Sequence, residues 1–276
     1  QTKNTLLGKA KVYILVFFSY YLLMINSLSE NNTRTENYAV LTILDKVNSQ
    51  SDIIEIEVGK EYKFKNLSIP KQKSKILYGG INIINSSVDI LNSEVSNSNS
   101  EDAINIISSN TNIKSFKISD TYADGLDIDF GILVFDNIEC ERINNDCLDI
   151  SGAEVKGKNF YAQEISDKGL SFGESSKGII TNLKFYKNNL AVAVKDGSKL
   201  KLSKYDLKEN NYDFAVFNKK NEYGQSTLDI IDSNDLNNLN VLVGEDNKLL
   251  TNNNFKINKL KNKYIYDLFY NDTITN

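Results

Sequence analysis

Six stretches of this chain align at a spacing of 22 residues, and that period constrains the fold more than any other feature. Ile104, Leu126, Leu148, Leu170, Val192 and Phe214 form one column. Two residues further on, Ile106, Ile128, Ile150, Phe172, Val194 and Val216 form a second, apolar at every step. Between the two stand Asn105, Asp127, Asp149, Ser171, Ala193 and Ala215. A period of two inside each stretch is that of a β-strand, whose successive side chains face opposite ways. A fixed longer period between stretches is that of stacked units, none of which can bury its apolar face alone. A second apolar run follows in each unit and includes Phe116, Ile138, Phe160, Phe185 and Leu202. The reading is all-β: a parallel β-helix of nine or ten coils, each pairing its backbone with the coil below, about 4.8 Å away.

Composition fits that reading. Hydrophobic residues make up 41% of the chain, enough for a continuous core. With 1 proline and 14 glycines, the corners must turn on Asn, Asp and Ser, which tolerate the left-handed region. The net charge is -4, with both signs interspersed, whereas a nucleic-acid surface needs a basic stripe. Cys140 and Cys147 read as small core or ladder residues, because two isolated cysteines make neither a metal site nor a disulfide framework.

At the amino end, residues 12–25 are almost wholly apolar, follow Lys9 and Lys11, and precede the small residues Ser27 and Ser29. That layout predicts a signal peptide or membrane anchor over residues 1–29, with the body of the chain exported; a buried strand pair is the alternative. Val40, Leu41, Leu44 and Val47 stand at helical spacing, which predicts a cap helix within 30–49. Ile54, Ile56 and Val58 then alternate with polar residues and open a β-helix over 50–265. Residues 266–276 would close the far end or form a tail.

The run "DIIEIEVGKEYKF" looks like the start of pectate-lyase-like right-handed β-helices. "EDAINI", "ADGLDIDF", "NDCLDISGAEV" and "AVAVKDGSKL" resemble bacterial right-handed β-helix repeats, including those beside spore-coat CotH-type kinase domains. The resemblance covers about two thirds of the chain and implies a single right-handed parallel β-helix; it carries no settled activity.

The polar columns raise a chemical question. Asp102, Asp124 and Asp146 recur at 22, and Lys168 takes the fourth place. Asp127 and Asp149 fall one coil apart, with Asp129 alongside and Glu174 and Lys195 just beyond. Two full charges at that separation repel by about 3 kcal/mol at an effective dielectric of 20. Lys168 and Lys195 can neutralise the acids, a cation can, or one acid can keep its proton. A shared proton suits general acid–base work such as glycoside hydrolysis. No cofactor is called for, although Ca²⁺ is the ion such carboxylates would take. The bland alternatives are acids capping backbone at the bends and a lysine-paired structural ladder.

"YADGLDI", "NDCLDIS", "DKGLSFG" and "VAVKDG" also resemble, in order, the coil motifs of polygalacturonases. That likeness implies that Asp124 and Asp146 match catalytic acids and that Lys195 matches a substrate-binding lysine. Asn145 stands where the other acid of the pair would be, Lys168 where the histidine would be, and Val192 or Ala193 where the arginine would be. The expectation is an exported or surface monomer that acts on a polysaccharide. Asp127 and Asp149 would be its acid–base pair, supported by Asp124 and Asp146, with Lys168, Glu174 and Lys195 at the substrate. The rival is a non-catalytic surface protein whose polar ladders only stabilise the coils.

Overall fold

The computed structural model describes residues 79–231, 239–252 and 255–271, together with the backbone of 11–17, 38–45, 50–57 and 61–65. Strand β1 (Lys11–Phe17) precedes β2 (Tyr38–Asp45), β3 (Gln50–Glu57) and β4 (Glu61–Lys65). β2 and β3 pair antiparallel as a sheet of their own. This corrects the expected cap helix. Tyr38, Val40, Thr42 and Ile43 are β-formers, and the alternation Tyr38–Val40–Thr42–Leu44 competes with the helical spacing and prevails. Of the expected signal or anchor, residues 11–17 form β1, and the rest lies outside the described residues. No helix among the described residues is long and apolar enough to cross a membrane.

The solenoid begins at β5 (Gly79–Ile84) and β6 (Ser87–Ser96), the latter also pairing antiparallel with β1. Each of β7 (Asp102–Thr121), β8 (Asp124–Ile143) and β9 (Leu148–Ile165) runs through a corner and serves two faces. The later turns split in two: β10 (Lys168–Gly173) with β11 (Lys177–Tyr186), β12 (Leu190–Lys195) with β13 (Lys199–Lys208), β14 (Tyr212–Phe217) with β15 (Thr227–Ile230), and β16 (Val241–Gly244) with β17 (Lys248–Thr251). β18 (Ile257–Leu260) ends one face, and helix α1 (Asn262–Tyr270) follows. The described residues form an all-β parallel solenoid of about 8 turns. Its register is the 22-residue alignment itself: Ile104 pairs with Leu126, Leu126 with Leu148, Leu148 with Leu170, Leu170 with Val192, and Val192 with Phe214.

That column is buried from end to end. Behind it the second face contributes an aromatic ladder, with Phe135, Phe160 and Phe185 meeting edge to face at 5.8 and 4.8 Å between centroids. Gly157 makes room for it, since a Cβ there would lie 2.1 Å from the Phe135 ring. One corner stacks Ser108, Phe130, Gly152, Glu174 and Asp196, all at positive φ. The turns therefore reach well beyond Asn, Asp and Ser, because ladder hydrogen bonds on both sides of each corner leave its residue no other conformation.

Both cysteines are core residues, as expected, each 0% exposed, but they are also joined. Cys140 and Cys147 form a disulfide, with Cα atoms 5.9 Å apart, which ties the end of β8 to the start of β9. Sequence separation alone could not show that a coil corner folds these positions together.

Candidate functional site

The outward face of the first sheet carries the acids. Asp102 pairs in register with Asp124, Asp127 pairs with both Asn105 and Asp149, and Asp129 pairs with Ile107 and Ser151. Asp124 and Asp146 do cap backbone, each on the coil that follows: Asp124 Oδ1 accepts from the Asp146 N–H at 2.7 Å, and Asp146 Oδ1 from the Lys168 N–H at 3.1 Å. The Asn105 amide donates to Asp102 Oδ2 at 3.0 Å and to Asp127 Oδ2 at 3.2 Å.

Burial first, and the charge of Asp149 second, push the Asp127 carboxyl up to about 9, so it is neutral at pH 7. Burial and then the charge of Asp146 push Asp124 up to about 8. Burial pushes Asp102 to about 6 against the pull of Asn105, and raises Asp129 as well. Keeping a proton is thus the remedy that Asp124 and Asp127 adopt. No group of three His, Cys, Asp or Glu side chains among the described residues is placed to hold a metal ion.

Further along, the column turns basic and closes. Lys168 is 1% exposed, and its Nζ lies 3.3 Å from Asp146 Oδ1 and against Asp167. Burial, the largest influence, pulls this amine down; Asp146, Tyr270 and Asp167 together outweigh it and hold the pKa above the usual lysine range. Lys195 Nζ lies 4.0 Å from Asp149 Oδ1; burial pulls this amine down most, and Asp149, Tyr270 and Asp146 together raise it above the usual range.

Helix α1 seals this end. Its Ile265 packs on Leu190, Ala193, Ala215, Phe217 and Leu242, so the small outward residues of the later coils form a seat rather than a solvent face. The Tyr270 ring covers three amines: Lys168 Nζ at 4.8 Å, Lys219 Nζ at 4.2 Å and Lys195 Nζ at 6.0 Å from its centroid. Lys195 Nζ also donates to Tyr270 Oη at 3.4 Å. Burial and the two neighbouring lysines lower the pKa of Lys219.

The expected site residues therefore separate. Asp124, Asp127 and Asp149 come together on a half-buried strip, and Asp146 lies beneath it, 3% exposed. Lys168 and Lys195 lie beside that strip under Tyr270, 1% and 7% exposed. Glu174 sits at a corner and pairs with Lys220. Sequence reasoning missed Asn105, Lys219 and Tyr270 as members. The first stood in an aligned column; the other two are brought in by α1 and by the loop before residue 226, which no period announces. It also left unused the two exposed aromatics at the ends of the acid-rich segment, Tyr122 and Phe130, each 51% exposed.

No family model matches the chain, and neither a curated protein nor a solved structure matches it.

Proposed function

We propose that this protein is an exported polysaccharide-binding solenoid, right-handed and of the pectate-lyase-like kind, that cleaves glycosidic bonds at the Asp127–Asp149 pair. The observation that carries this reading is the pair itself: two carboxyls on adjacent coils in opposite environments. Asp127 is surrounded by acids and keeps its proton; Asp149 faces the Lys195 ammonium. A carboxyl that keeps its proton, next to one that faces an ammonium, can divide with it the roles of acid and base. Asp127 donates its proton to the leaving oxygen, and Asp149 acts as the carboxylate nucleophile. Their separation of one strand spacing, about 5 Å, is that of a retaining enzyme. Tyr122 and Phe130 offer ring faces on which sugars can stack. The Cys140–Cys147 disulfide supports export, since such bonds persist in oxidising compartments.

The test is the size-exclusion profile of a panel of neutral and acidic polysaccharides treated with wild type, Asp127→Asn and Asp149→Asn. Shortening by the wild type alone, with retained anomeric configuration and a loss of rate as pH rises through about 9, supports the assignment. One observation favours a second reading, a non-catalytic binding solenoid: Tyr270 seals half of the polar column. Glycan binding without shortening would establish it.

A further inference from the structure

The second face of the solenoid carries a shallow groove of about 700 Å³ that the acid pair does not use. In one outward column Glu154, Lys177 and Lys199 succeed one another in register, and in the neighbouring column Lys156, Ile179 and Lys201 do. All four lysines are exposed. The acids lining the groove are Glu154 and Asp229, and Asp229 is already paired with Lys201 at 3.8 Å. Among the described residues no carboxylate lies within salt-bridge distance of Lys156, Lys177 or Lys199. Like charges directly opposite one another in a sheet are destabilising, so the Lys177–Lys199 pair costs the fold something that an anion would return. Between the lysines lie aliphatic side chains: Ile132, Val134, Ile179 and Leu250 are 44, 37, 48 and 48% exposed.

We infer that this groove binds a linear acidic polysaccharide, a chain of sugars bearing carboxylate or sulfate groups, laid along the solenoid axis. The inference takes its ligand class from the glycan reading above and does not depend on cleavage. Cations recur from coil to coil at the strand spacing, about 4.8 Å, and so face a polymer charged at intervals along its length. The aliphatic floor receives the C–H faces of the rings. Strands β9, β11 and β13, which carry the four lysines, are paired on both sides, which leaves them no edge to which a peptide strand could add. None of the lining residues is aromatic, so nothing is there to stack nucleic-acid bases.

The experiment measures equilibrium binding of the full chain to polygalacturonate, dextran sulfate, uncharged dextran and polyglutamate at low and high salt. The proteins compared are wild type, the double variant Lys177→Gln/Lys199→Gln, and Asp127→Asn with and without those two changes. The expected result is binding to an acidic polysaccharide that weakens with salt, with little binding to dextran. Preference between the two acidic probes identifies the carboxylate or sulfate. The double variant should bind roughly tenfold more weakly or worse, while melting at the same temperature as wild type or higher, because its change removes a like-charge contact. Asp127→Asn supplies a background without cleavage, in which the two lysine changes should weaken binding by the same factor. Undiminished affinity in the double variant, equal binding of dextran, polyglutamate bound as tightly as the glycans, or no binding of either acidic probe would each overturn the inference. Lost cleavage with intact groove binding bears on the acid pair alone.

Discussion

Replacing Lys168 by Met keeps an unbranched side chain, one atom shorter, and removes the charge from beside Asp146. Both partners are almost fully buried. Breaking a buried pair by removing one member costs about 3–5 kcal/mol, because the other charge is left uncompensated. Asp146 Oδ1 would keep the Lys168 backbone N–H, 3.1 Å away, so the low end, about 3 kcal/mol, applies. For a domain of this size about 2–4 °C is lost per kcal/mol, which predicts a melting temperature lower by roughly 6–12 °C at pH 8. Burial already raises the Asp146 carboxyl in the presence of the ammonium, and without that ammonium it would rise further. At pH 5 the variant can therefore bury a neutral acid, and its deficit should shrink. Asp146→Asn added to Lys168→Met should restore at least half of the loss. Calorimetric melts at the two pH values, with circular dichroism to verify the fold, make the test. A deficit of equal size at pH 5 and pH 8, or one that the second change leaves untouched, would refute the argument that an unpaired carboxylate is the cause.

The raised carboxyls predict an unusual stability profile: their contribution is complete below about pH 4 and is lost as pH rises through about 8 for Asp124 and about 9 for Asp127. Melts across pH 5–10 should show that decline, and Asp127→Asn should flatten its upper part. Reducing Cys140–Cys147 reopens a loop of sequence separation 7. Chain entropy puts the cost at about 2–3 kcal/mol, readable as the difference between denaturant midpoints with and without a phosphine reductant. Phe160→Ala removes the middle rung of the aromatic ladder and should cost about 3–5 kcal/mol, with Phe135 and Phe185 left flanking a cavity that a denaturation series would register.

The 22-residue columns carry the architecture in the sequence alone. An apolar residue at every coil in two columns admits little besides a parallel stack, because side-chain alternation and strand pairing then both follow from backbone geometry. Asp127 above Asp149 was equally legible, since register in such a stack is arithmetic on residue numbers. Local pattern was less decisive where two periods fit the same residues, and Tyr38–Asp45 became a strand on β-propensity. Only the tertiary structure settled what the sequence spaces widely. It joined Cys140 to Cys147 across a corner, forced Phe130 and Glu174 into the left-handed region between two ladders, and laid Tyr270 over Lys168, Lys195 and Lys219. Whether an outward acid stays charged depends on what covers it. Asp146 lies beneath its neighbours beside an amine, while Asp127 is left half-buried among acids and keeps its proton. A repeat fixes which residues are neighbours; the dielectric around them is set by elements outside the repeat, and that decides their chemistry.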